Sequence, residues 1–158
     1  MADLDFKISI NATRTLNALD RMTEFVRSIT PEAVDMCAME TQNEARRKVW
    51  AKSHAAGTPT PSAPGTPPAK ITGALGRSIS KTDAKEVGHD KWSAQVGPTN
   101  PPVYGRVQEL GRVGTGHWPN TRMPERPYLK PTVEELRGLG VYTDIFKHAW
   151  GQAVHDAL

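Results

Sequence analysis

Thr72-Gly73-Ala74-Leu75-Gly76-Arg77-Ser78-Ile79 opens the stretch that decides the fold, which runs on to Pro131. Thr72-Gly73 reads as a turn or helix entry: the Thr hydroxyl is available as a cap, and Gly is free of the Cβ restriction. From Ser78 onward, and again from Trp92 to Val96, a short alternation of apolar and polar residues predicts strands. Residues 79–86 and 91–96 then pair as a hairpin, with Val87-Gly88-His89-Asp90 at the turn and Trp92, Ala94 and Val96 sharing one half-buried face. Gly97-Pro98 ends the second strand, because Pro has no N–H for a ladder. Tyr104-Gly105-Arg106-Val107-Gln108-Glu109-Leu110 predicts one or two helical turns stopped by Gly111. Glu109 has Arg106 and Arg112 nearby, so it reads as an acid that fixes a turn or a subunit contact. Arg126-Pro127-Tyr128-Leu129-Lys130-Pro131 leads into another helix, whose first turn tolerates Pro131.

Upstream, Asp5-Phe6-Lys7-Ile8-Ser9-Ile10 alternates with period two and predicts a short strand. Asn11 is positioned to cap a first helix to about Ser28, with Leu16, Leu19, Met22, Val26 and Ile29 as its apolar stripe. Thr30-Pro31-Glu32 reads as a restart, and a second helix is expected over 31–55. Its stripe is Val34, Ala38, Thr41, Ala45 and Val49, flanked by Met36 and Cys37. Glu40, Glu44, Arg47 and Lys48 form i,i+3 and i,i+4 pairs on a solvated face. Residues 57–70 are rich in Pro, Gly, Ser and Thr. They are expected to be extended, and 57–68 to be poorly ordered in the isolated chain and ordered by a partner. Downstream, Gly138-Leu139-Gly140 interrupts the helix that follows Pro131. A last helix over 143–158 carries Ile145, Phe146, Ala149, Trp150 and Ala153. The organisation is one domain: 1–56 strand and helices, 57–70 Pro-rich loop, 71–131 central sheet block, 132–158 helical.

At 158 residues the chain can bury a real core, but a hydrophobic fraction of 37% with 13 Pro and 13 Gly makes that core modest. Residues 1–56 carry eight basic and eight acidic groups, whereas 57–137 carry eleven basic and seven acidic, so the excess lies in the central block. That favours a passing polyanion, but no run of Lys or Arg interleaves with aromatics as a dedicated nucleic-acid binder requires. The lone Cys37 has no internal disulfide partner and no His or acid at nucleophile spacing, and reads as a small buried helix residue. The start, Met1-Ala2-Asp3-Leu4-Asp5, is acidic where a secretion signal needs a basic one, and no apolar run approaches bilayer length. Val113-Gly114-Thr115-Gly116-His117 lacks the Lys-Ser/Thr of a phosphate-binding loop and reads as a flexible loop. His117, His148 and His155 show no metal-ligand spacing. Glu109, His117 and Asp90 are the best available hydrolase constellation, at arbitrary spacing.

The order of the central blocks resembles a family of small morphogenesis proteins of long-tailed bacteriophages, the tail-completion, neck or head–tail joining proteins. Thr72, Gly73, Leu75, Ser78 and Ile79 carry the first block of that pattern, and Val96 and Gly97 the second. Tyr104, Gly105, Glu109, Leu110 and Gly111 carry the third, and Pro127, Tyr128, Leu129 and Pro131 the last. Leu110 and Tyr128 stand where the pattern has Phe, and the loop 112–126 is long. The resemblance implies an α+β fold: a small, mainly antiparallel sheet packed by long N-terminal helices and a C-terminal helix, with long extended loops. It implies a structural virion protein, not an enzyme, with no cofactor, metal or catalytic residue, made in the host bacterial cytoplasm and placed at the head–tail interface. Its partners would be copies of itself in a ring of six, head connector or stopper proteins, and tail terminator or tail tube proteins. DNA would pass through without sequence specificity, and no membrane would be involved. A tail terminator or minor capsid component of the same particle is the neighbouring alternative. A DNA-binding protein and a small hydrolase are the more distant ones.

Overall fold

A computed structural model describes residues 12–59, 62–99, 104–114 and 122–157. The strand expected over 5–10 lies outside the described residues. The fold is mixed α+β, with a long N-terminal helix, small antiparallel two-stranded ladders and C-terminal helices. Helix α1 spans Thr13–Trp50 in one piece, through Pro31. The restart expected at Thr30-Pro31 is therefore corrected. The Thr30 hydroxyl donates back to the Val26 carbonyl at 2.6 Å rather than capping forward, and it accepts from the Trp150 indole N–H at 3.2 Å. Helix α5, Val141–Ala157, lies along α1 across the proline. Thr30 meets Trp150 and Thr41 meets Tyr142, so the two helices run antiparallel. Packing across the site offsets the one helical hydrogen bond that Pro31 cannot make.

The helix also ends at Trp50, not near residue 55. The Lys70 N–H donates to the Lys52 carbonyl at 2.7 Å, and the His54 N–H donates to Lys70 at 3.1 Å. This parallel bridge draws the chain out of the helix and closes the Pro-rich loop at its base. The described far side of that loop is tied to the chain itself. Gly65 N–H donates to Glu125, Arg126 Nε donates to the Ser62 carbonyl, and the Ser62 hydroxyl accepts from Ala69 N–H. Pro68 is buried. Proline lowers the entropy lost on fixing such a segment, so a few hydrogen bonds suffice to hold it.

Helix α2, Ala74–Ser78, leads into strand β1, Ile79–Lys81. Strands β2, Lys85–Gly88, and β3, Lys91–Ser93, form the hairpin, and β4, Val96–Pro98, returns to pair with β1. The expected continuous hairpin is thus interrupted at Thr82–Ala84, where the Thr82 hydroxyl accepts from Gln95 N–H, and the turn narrows to His89-Asp90. Thr99 N–H donates to Ser78 and Thr82 N–H donates to Gln95, so the odd-numbered residue Ile79 turns its carbonyl away from β4. Opposite it stands Pro98, which needs no donor there.

The outward edge of β1 is covered by side chains of α1. Gln42 and Arg46 both donate to the Ile79 carbonyl, Arg46 through two nitrogens at 3.0 and 2.6 Å. Asp35 accepts from Ala84 N–H and pairs with Lys81. This closes an edge that would otherwise be open to strand addition. The remaining elements are α3, Tyr104–Leu110, a two-residue ladder of β5, Arg112–Val113, with β6, Arg122–Met123, and α4, Leu129–Gly138. Ala45, Val49, Leu75, Ile79 and Tyr128 form the core, with Val96 and Leu129 packed against it.

Candidate functional site

Leu75, Ile79 and Tyr128, with Val96 and Leu129 against them, converge on the C-terminal half of α1. Leu75 and Ile79 reach it from α2 and β1, and Tyr128 from the loop before α4. Tyr128 is fully buried, and its hydroxyl donates to the Gly105 carbonyl at 3.4 Å. Burial, then the charge of Glu109 and the proximity of Tyr104, push this phenol well above its ordinary value. Gly105 sits where a Cβ would come within 2.7 Å of Pro98 and 3.2 Å of Leu75. Its bare backbone lets α3 approach the start of the sheet block.

Glu109 is the centre of this joint. Its Oε2 accepts from Tyr128 N–H at 2.7 Å and Leu129 N–H at 3.0 Å, and its Oε1 accepts from Lys130 N–H at 2.8 Å. These are the donors that open helix α4 and have no intrahelical partner. A carboxylate is suited to this place because the helix start carries partial positive charge. The arginine partner expected for Glu109 is thus replaced by three backbone amides. Gly111 follows at φ +68°, and a Cβ there would meet the Met123 carbonyl at 2.9 Å. The left-handed turn points β5 back toward β6, and Arg126 N–H donates to Gln108 to close the loop. Inside α4, the buried Thr132 hydroxyl donates to the Tyr128 carbonyl at 2.6 Å. Pro131 lies in the first turn, where its missing N–H leaves no bond unmade.

Thr72 accepts from Ala74 N–H at 3.3 Å, and Gly73 takes φ +75° at the entry to α2. Thr72, Gly73, Leu75 and Tyr104 also line an open pocket beside Trp50. Ser78 donates back to Leu75, and Gly97 pairs with Ser80. Pro127 is half-buried immediately before Tyr128. Sequence reasoning missed Gln42, Arg46 and Asp35, whose helical spacing of four and seven along α1 was the available signal.

The hydrolase constellation is not assembled among the described residues. Glu109 is occupied at the start of α4, while Asp90 sits at the hairpin tip, paired with Arg27 at 2.6 Å and beside exposed His89. His117 lies outside the described residues. No group of three potential metal ligands occurs among the described residues. Burial raises the Cys37 thiol pKa, which lowers its thiolate fraction. Among the described residues no helix is long and apolar enough to cross a membrane. The apolar stripe of the first turns of α1 has a different character from the rest. Leu16 and Leu19 are exposed on the first turns of α1, and Phe25 is part-exposed beside His148, Ala149 and Gln152 of α5. Comparison with protein-family models, curated proteins and solved structures found no match to this chain.

Proposed function

We propose that the chain is a structural protein of the neck of a long-tailed bacteriophage, joining the head connector to the tail as a ring of copies around the DNA channel. The observation that supports this reading best is the joint around Glu109. Four separated blocks that resemble tail-completion proteins meet there, and their one carboxylate is spent on three amides rather than on chemistry. The role is binding. Leu16 and Leu19, exposed among the described residues at the N-terminal end of α1, offer apolar surface for a partner to cover. The modest basic excess of the central block suits DNA that must pass, because dense phosphate contacts would hold the genome back. Particles assembled without this chain should stop as DNA-filled heads beside separate tails, and purified protein should join them. Fully joined, infectious particles formed in its absence would contradict the proposal.

A further inference from the structure

At the C-terminal end of α1 a pocket of about 350 Å³ opens between Trp50, Ile71, Leu75 and Tyr104. Trp50, Ile71 and Tyr104 are each roughly half exposed at its mouth, which gathers three large apolar side chains on one rim. Gln108 lines the pocket, and its Oε1 is buried without a hydrogen-bond partner among the described residues. Lys70 and Arg77 both lie against Gly73 at the same rim. Neither has an ion-pair partner among the described residues. The site therefore asks for an occupant with apolar side chains and negative charge.

We propose that this pocket receives the segment Asp3-Leu4-Asp5-Phe6 of a second copy of the chain. Asp3 and Asp5 are the only carboxylate side chains of this sequence outside the described segments. They alternate with Leu4 and Phe6, so an extended backbone places the two acids on one side and the two apolar groups on the other. Leu4 and Phe6 then face Trp50, Ile71 and Tyr104, and the carboxylates face Lys70 and Arg77. The segment cannot serve its own pocket. Helix α1 separates Thr13 from Trp50 by about 55 Å. A fully extended link from Phe6 to Thr13 covers at most about 25 Å. The contact joins one end of α1 to the other end of a neighbour's α1, a head-to-tail arrangement that makes a ring when its rotation closes. It rests on the assembly reading above and names the contact that would link the copies.

A fluorescently labelled peptide of residues 1–11, titrated with the full chain, tests it by anisotropy. Saturable binding is expected, weakened about tenfold or more by the exposed double charge reversal Lys70→Glu/Arg77→Glu. A peptide carrying Asp3→Lys and Asp5→Lys should recover affinity for that variant. Where the double variant fails to fold by circular dichroism, Ile71→Ser reports in its place and should also weaken binding. No saturation, or equal affinity for the native and altered pockets, overturns the proposal. So does a labelled single-stranded oligonucleotide that binds through Lys70 and Arg77 while the peptide does not. Failure here with the joining assay intact would remove this contact and leave the neck role standing.

Discussion

Glu109 accepts three backbone N–H groups, and the start of α4 depends on it. Replacing it with Ala strips all three at once and should destabilise the protein by about 2–3 kcal/mol. Gln keeps one acceptor oxygen but turns an NH₂ toward the third amide, and should cost about 1 kcal/mol. Urea unfolding would read both, as a lower midpoint at unchanged slope. An unchanged midpoint for the Ala variant would contradict the role assigned to this carboxylate. Tyr128 supplies a pH test. Its phenol pKa is raised in the folded chain, so the stability linked to it is complete below the ordinary phenol value of about 10. That stability is lost as pH climbs above it, because the unfolded chain ionises there and the folded chain does not. Of three tyrosines, one should resist titration at 295 nm until the chain unfolds in alkali, and Tyr128→Phe should remove that late step. A Tyr128 phenol that titrates near pH 10 with the fold intact would contradict it.

Helix α1 separates what local sequence can and cannot express. The turn signals around Thr72-Gly73, Gly111 and Gly138-Leu139-Gly140 were legible because each is written in one or two residues that demand a backbone conformation. The small stripe of Val34, Ala38, Thr41, Ala45 and Val49 was legible from spacing, and all but the half-buried Val34 are buried. Thr30-Pro31 carried an equally clear local signal, yet the helix continues, because α5 packs across it from more than 100 residues away. The same distance hid the role of Glu109. Its partners lie 19 to 21 residues downstream, and two nearby arginines offered a simpler local reading. The edge cover on β1 was invisible for the same reason, since Gln42 and Arg46 act on a carbonyl more than 30 residues away. Pro31 yields a direct test. With the helix continuous, Pro31→Ala restores a donor to the Arg27 carbonyl and should stabilise the chain by about 1–2 kcal/mol, below the full cost of an interior proline. Thermal unfolding would show the rise. A fall in stability would mean that the fold requires proline at this position.

At the scale of the molecule, a compact joint around Tyr128 holds one end of a long helix, while among the described residues the other end exposes Leu16 and Leu19. Such an arrangement distributes contact surface along its length, as the proposed ring subunit requires. Exposed Leu16 and Leu19, downstream of the segment proposed to dock, and the cationic pocket at Trp50 lie at opposite ends of α1. Opposite ends are where a head-to-tail contact needs its two halves. The central claim is that this chain works as a ring between head and tail. A density map of assembled virions that locates the chain tests it most directly. The account predicts a closed ring of copies between the head connector and the tail tube, coaxial with the DNA. Copies dispersed over the capsid surface, or no copies in the particle, would contradict it.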